Sequence, residues 1–439
     1  MRKSVRKAAR ISVLAGLFLF LFGCEPISVS INAKGDIAFT RAEGIFVYDA
    51  KAGKLTTINW NYGTPVIPVI VRWAPDNDTL AYSAKPTKDG QDVEVYLVKK
   101  SGGTAKKVYA SDKVLTQMEW SPDGKYLSLA QQGKDTDLSV ADLVIISVAD
   151  SMSKVLVANC GDVHNWLDEK TIAFVKISGK NGESSDVLNG KVSTIRVDGG
   201  DIQSFVDVRV TKTGGLDTST GGKLIAFTAL QAGPGSQDLL PIQIEKTDYD
   251  GVILPKLYDD DAKAQFASGY SLAKGVYKLK DKLDADKKTK LHELLSSAGY
   301  INTDKPYAYV VKAGDSKADK LSATSCNFLQ FSPDGSSLLV KAKTENAFEL
   351  GMISLADKSY KALAADIADT VSANSGTVQV YPSWSGNAAV VYFKENKVYG
   401  SNGMALTLMS LDTATLKKRN LQIGIDTEVA KLVESKGGY

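Results

Sequence analysis

This sequence predicts an all-β protein, a seven-bladed β-propeller of four-stranded antiparallel blades with a short α-helical insertion. Three observations carry that expectation: a phrase that recurs down the chain, the spacing of its copies, and a second hairpin after each copy. The phrase is an aromatic residue, a tight polar turn and an apolar strand. It reads Trp73-Ala-Pro-Asp76 before Leu80, Trp120-Ser-Pro-Asp-Gly124 before Leu127, and Trp166-Leu-Asp168 before Ile172. It returns as Phe331-Ser-Pro-Asp-Gly335 before Leu338 and Trp384-Ser-Gly-Asn387 before Val390. Four of the five tryptophans hold one position of the phrase, so the repeat is structural rather than accidental.

The first apolar residues of the following strands are Ile37, Leu80, Leu127, Ile172, Ile225, Leu338 and Val390. They stand about 43 to 53 residues apart, the length of one four-stranded blade, except for one gap of about 113. Two marks are degenerate: Ser30 holds the aromatic position before Ile37, and Thr218 holds it before Ile225. A second hairpin follows each mark, as in Ile45-Phe-Val-Tyr48 to Gly53, Val95-Tyr-Leu-Val98 to Gly103, and Leu408-Met-Ser-Leu411 to Asp412. Alternation closed by turn residues is the pattern of half-buried antiparallel strands.

The long gap holds the insertion, at about 261–300. Leu272, Val276, Leu279 and Leu283 recur at helical spacing, and Leu291, Leu294, Leu295 and Ala298 form a second set before Gly299, predicting a pair of short amphipathic helices. Two segments compete for the outer hairpin of that fifth blade: Ile242-Gln-Ile244 to Gly251, and Tyr307-Ala-Tyr-Val310 to Gly314.

Arg2, Lys3, Arg6, Lys7 and Arg10 precede an apolar run from Ile11 to Phe22, the pattern of an export signal. Leu21-Phe22-Gly23-Cys24 resembles the lipobox of bacterial lipoproteins. That resemblance implies a signal peptide over 1–23, lipid on Cys24 and an extracytoplasmic, membrane-held protein, periplasmic or at the cell surface. A retained anchor and an ordinary signal are the alternatives. The propeller is then expected over 24–425, with a tail at 426–439 whose Val429, Leu432 and Val433 have helical spacing.

Loss of the signal removes five basic residues, leaving about 48 basic against 50 acidic. The chain is then near neutral, with no basic field for nucleic acid. Asp259-Asp-Asp261 and the lysines around 278–290 read as solvated faces. Cys160 and Cys326 stand just before the aromatic of their repeats, equivalent places in non-adjacent blades, and are expected as two separate buried thiols. Only His164 and His292 exist, which excludes His-rich metal sites, and no G-x-S-x-G elbow is present. His164 is expected as a polar residue opening an inner strand, and His292 on the surface of the insertion. Asp135-Thr-Asp137 and Asp284-Ala-Asp286 begin like calcium loops but lack the glycine and glutamate such loops need. No catalytic residue, metal or cofactor is assigned.

The Trp-Ser-Pro-Asp-Gly phrase with its following hairpins resembles the TolB-type propeller repeat, from about Ile27 to Gln422. The resemblance implies orientation: loops from second to third strands and links between blades share one face. Here that face holds the long stretches at 85–91, 131–141, 176–191, 231–240 and 394–404, together with the insertion. Variable loops on a rigid scaffold are where binding resides. Trp60 and Tyr62, in the link between the first and second blades, are the candidate contact residues. The expected function is a non-catalytic lipoprotein that binds or scaffolds an envelope protein or a cell-wall component. The alternative is a glycan lyase or hydrolase using acidic and aromatic residues around the channel.

Overall fold

A computed structural model of the chain describes residues 28–421 except 42–43, 50, 61–65, 87–92, 133–139, 181–186, 212–213, 233–242, 247–248, 281–282, 285, 288–289, 292–293, 296–305, 344–347, 368–369, 374–375, 380–381, 386–387 and 397–404. The sheets are antiparallel and follow the sequence repeat. β1 (Ser28–Ile31), β2 (Asp36–Arg41), β3 (Gly44–Asp49) and β4 (Lys54–Trp60) are hydrogen-bonded in that order. β5 (Val66–Trp73), β6 (Thr79–Pro86), β7 (Val93–Lys99) and β8 (Lys106–Ser111) form the next unit. β9 (Val114–Trp120), β10 (Tyr126–Gln132), β11 (Ala141–Ser147) and the first part of β12 (Ser153–Trp166) follow. The rest of β12 opens a further unit with β13 (Thr171–Lys180), β14 (Val187–Arg196) and β15 (Gln203–Thr211).

Next come β16 (Leu216–Thr218), β17 (Leu224–Ala229) and the short β18 (Gln231–Ala232). The inserted segment carries β19 (Gln243–Glu245), helix α1 (Asp260–Gly269), β20 (Tyr270–Ala273) and β21 (Val276–Leu279). β22 (Tyr307–Lys312) returns to pair with β17, and β23 (Asp319–Phe331) pairs first with β22 and then with β24 (Ser337–Lys343). β25 (Phe348–Ser354) and β26 (Tyr360–Ile367) complete that unit, and the hairpin β27 (Thr370–Ala373) and β28 (Gly376–Gln379) follows. The last unit is β29 (Ser383–Ser385), β30 (Ala389–Asn396), β31 (Ala405–Asp412) and β32 (Lys418–Asn420). Both terminal units are thus built from contiguous chain.

Successive units share cores, because alternate residues of a strand face opposite neighbours. Leu143 and Ile145 of β11 pack with Trp166, Ile172 and Phe174 of the next unit. Val144 and Ile146 pack with Val95 and Val108 of the previous one. First strands also meet in succession: β1 packs on β5, β5 on β9, β9 on β12, β12 on β16, and β16 on β23. β29 packs on β1.

The recurring phrase has a direct physical meaning. Trp73 pairs with Leu80, Trp120 with Leu127, Trp166 with Ile172, Phe331 with Leu338 and Trp384 with Val390. In the Trp120 copy, Ser121 Oγ donates to Asp123 Oδ1 at 2.8 Å and accepts from Tyr126 N at 2.9 Å. Ser332 and Asp334 repeat the arrangement, and Gly124 and Gly335 both take φ near 71°, which an L side chain resists. In the first unit the partner of Ile37 is Ile31, not Ser30. Ile31 therefore holds the aromatic's place, and Ser30 is the residue before it.

The insertion corrects one expectation. The set Leu272, Val276 and Leu279 is not helical: these residues lie in the β20–β21 hairpin, where Leu272 pairs with Tyr277. Lys274 and Gly275 both have positive φ, 51° and 81°, as a two-residue hairpin turn requires, and that turn overrides the helical spacing. The helix precedes the hairpin instead. Asp259 caps α1 by accepting from Ala262 N at 2.7 Å, so the acidic run serves as a helix start. The second expected helix is found in its described residues, with Leu291, Leu294 and Leu295 buried against Phe266, Tyr270 and Ile244. The Ile244 segment joins the insertion as β19, and the Tyr307 segment completes the fifth unit as β22. The insertion has its own core of buried residues, separate from those between the sheets.

Candidate functional site

The residue just before each aromatic mark is polar in every repeat: Ser30, Arg72, Glu119, Asn165, Asp217, Gln330 and Ser383. These residues sit on the first strands, and six of them, from Ser30 to Gln330, link one unit to the next. Trp73 N donates to Ser30 Oγ at 3.2 Å, Phe331 N to Asp217 Oδ2 at 2.6 Å, and Trp384 N to Gln330 Oε1 at 3.3 Å. Arg72 pairs with Glu119 at 3.1 Å, and Asn165 Nδ2 donates to Asp217 Oδ1. Gln117 spans the same kind of gap by bonding both N–H and C=O of His164, at 2.8 and 3.0 Å. Indoles reach back across it too, from Trp120 to the carbonyl of Arg72, Trp166 to that of Glu119, and Trp384 to that of Gln330. Reading the position before each aromatic exposes this set in the sequence, a signal that attention to the aromatics alone passes over.

Burial sets the protonation of two of these first-strand groups. Burial pushes the Asp217 carboxyl up to about 7 against the hydrogen bonds from Phe331, Thr218 and Asn165 that pull it down, and Glu119 adds repulsion. His164 is buried, and loss of solvent pulls its imidazole down to about 3, so it is neutral. Its Nε2 meets Ser128 Oγ at 2.7 Å, and Trp166 Nε1 donates to the same oxygen at 2.9 Å. Ser128 in turn donates to the Glu119 carbonyl at 3.2 Å. His164 is therefore a packed hub between strands, in keeping with its expected place on a first strand.

A cleft opens beside the bulge of β12, where β15 leads into β16. Asp162, Thr211, Thr228, Gly161, Gly214 and Gly215 are among its walls. Asp162 lies in the bulge of β12 between Cys160 and His164. Loss of water pushes its carboxyl up to about 7. Gly215 N donates to Thr228 Oγ1 at 2.6 Å, while Thr211 Oγ1 is buried without a hydrogen-bond partner among the described residues.

Cys160 and Cys326 are free and buried, and burial pushes both thiols up to about 12. Cys24, Tyr62 and His292 lie outside the described residues. So does the Trp60 side chain, although its backbone ends β4. The long stretches at 87–92, 133–139, 181–186, 233–242 and 397–404 and the tail at 426–439 are likewise outside them. Among the described residues, no three His, Cys, Asp or Glu side chains are placed to hold a metal ion, and no helix is long and apolar enough to cross a membrane.

No protein-family model matches this chain, and no curated protein matches it in sequence. Solved structures match over most of its length at low identity. An oligogalacturonate lyase in complex with manganese is 13% identical, with 88% of this chain and 89% of that chain covered and a TM-score of 0.53. The β-propeller domain of the Trilobed protease from Pyrococcus furiosus is 8% identical, covers 91% of this chain and 95% of its own, and also gives 0.53. TolB from Acinetobacter baumannii is 12% identical over 89% of this chain and 77% of its own, with a TM-score of 0.40. The first two likenesses agree with the antiparallel units on the fold, which is all-β and propeller-like.

Proposed function

We propose that this chain is a non-catalytic lipoprotein of the bacterial cell envelope that binds or scaffolds a protein or a cell-wall component. Its seven four-stranded blades close into one ring, a reading supported by the succession of first strands and by the packing of β29 on β1. Lipid on Cys24 holds it to a membrane, because the cysteine ends the apolar run and only residues 25–27 separate it from β1. The observation that carries the binding reading is the insertion. It joins a second strand to a third, so it stands on the long-loop face, and its separate core gives that face a rigid projection.

Replacing residues 243–300 with a short Gly-Ser linker tests this. Because the insertion brings its own core, thermal unfolding of the remainder is expected to move by less than about 5 °C. Capture from solubilised envelope by the full chain is expected to yield one stoichiometric partner, or cell-wall fragments, absent with the shortened chain. Equal capture by both chains overturns the reading.

A second reading, an envelope glycan lyase or hydrolase, is favoured by one observation: Asp162, whose carboxyl is raised to about 7, lines a cleft. Turnover of acidic or neutral envelope oligosaccharides that Asp162→Asn abolishes would establish it in place of the first.

A further inference from the structure

We propose that the β20–β21 hairpin of the insertion is a membrane contact, in which Leu272 enters the interface of an anionic phospholipid bilayer while Lys274, Lys278 and Lys280 meet its headgroups. Chain direction brings the insertion to the membrane end of the molecule. Val71 N and Trp73 N donate to Ser28 Oγ and Ser30 Oγ, Gln117 and Glu119 meet His164 and Trp166, and Asn165 and Trp166 meet Asp217 and Thr218, so the first strands run the same way. β1 starts at one end of that set. At the same end Leu216, which starts β16, pairs with Phe227 of β17, and Ala229 pairs with Tyr307 of β22. The insertion therefore leaves and rejoins the sheets at the end where the chain enters them. The placement rests on lipid at Cys24: from there to Ser28 the chain spans at most about 14 Å, which holds that end of the sheets against the membrane.

The hairpin has the composition such a contact needs. Residues 271–275 are exposed without interruption. Leu272 keeps 50% of its surface in solvent, although Tyr270, Tyr277 and Leu279 on the same face of the hairpin turn to the insertion's core. From Ala262 to Lys280 the chain carries four lysines and no acid. β19 brings one carboxylate alongside, Glu245 opposite Val276. The acid run 259–261 lies at the far end of α1, about 15 Å along the helix from Gly269, whose carbonyl accepts from Lys280 N. Ion pairs in the insertion use other lysines: Lys246 with Asp250, Lys263 with Asp260 and Lys287 with Asp284. Lys274 and Lys278 have no carboxylate partner among the described residues, and Lys280 Nζ donates to the Ala267 carbonyl at 2.7 Å. An apolar side chain among lysines suits a negatively charged bilayer surface, because the leucine and the lysine stems leave water while the ammonium groups stay at the phosphates. A lipid tether alone leaves the propeller free to tilt. This second contact fixes the long-loop face toward the membrane.

Vesicle flotation of the unlipidated chain from Glu25 onward, which keeps every described element, tests the contact. With phosphatidylethanolamine vesicles containing about 30% phosphatidylglycerol, co-flotation is expected that falls as salt rises, and with phosphatidylcholine alone it is expected to be about tenfold weaker or more. Lys274→Gln combined with Lys278→Gln is expected to weaken partition about twenty-five-fold, at about fivefold per lysine. Leu272→Ser is expected to weaken it about fivefold. All three positions are exposed, so thermal unfolding of both variants is expected to match that of the native chain. Absence of binding to the phosphatidylglycerol vesicles, equal binding to phosphatidylcholine, or binding unchanged in both variants overturns the proposal. Mass spectrometry of the mature amino terminus reports lipid on Cys24 separately, so a failure of the anchor and a failure of the hairpin contact are distinct results.

Discussion

Trp166→Ala is expected to cost about 4 kcal/mol of stability and to lower the thermal midpoint by roughly 5 °C. The side chain is 4% exposed and packs with Leu143, Ile172 and Phe174 at the boundary between two units. Its removal opens a cavity that the facing strands are poorly able to close. It also removes the indole N–H from Ser128 Oγ, the oxygen shared with His164. Trp166→Phe retains most of the ring and loses only the donor, so a cost of about 1 kcal/mol is expected. Calorimetry on the two variants separates packing from hydrogen bonding. A loss below about 1 kcal/mol in Trp166→Ala would contradict the buried placement of the indole.

Asp217→Leu is expected to be nearly as severe, at about 3 kcal/mol, because it strands the Phe331 N–H and the Asn165 amide in a buried place. Asp217→Asn keeps one acceptor, and its interest lies in pH. Burial raises the folded-state pKa of Asp217 above the ordinary carboxylate value. Its contribution is therefore full below about pH 4 and is lost as pH rises through about 7. Relative to Asp217→Asn, the native chain is expected to lose about 2 kcal/mol between pH 5 and pH 8. His164 has the opposite sign: its depressed folded pKa gives stability above about 6.5 that is lost as pH falls toward 3. It is present in both chains and drops out of the difference. Urea unfolding at the two pH values measures the effect, and parallel profiles would refute the raised pKa of Asp217.

The repeat was legible because its signals are local. Each aromatic lies opposite its apolar mark across a hairpin whose turn is built from four or five consecutive residues, so the phrase carries the register with it. The exception at Ile31 arose from turn length: the first turn is closed by Asn32, whose side chain accepts from Lys34 N and Asp36 N, and this shifts the pairing by one. The insertion was less legible because leucines spaced three and four apart also suit a tight hairpin. Only Gly275, which supplies one of the turn's positive φ values, told the two apart. The Asp162 cleft left no local trace. Its walls come from strands and links spread over residues 161–228, and neither the bulge in β12 nor the approach of Gly215 to Leu329 is written in any short segment.

The contiguity of the two terminal units has a mechanical consequence. Among the described residues, no strand from one end of the polypeptide is laced into the sheet at the other, and β1 and β29 meet by lateral packing instead of a shared hydrogen-bond ladder. A pull on the amino end loads β1 first. The contact between β1 and β29 is then the place to yield, giving way from that side while the remaining sheets keep their ladders, as a clasp opens.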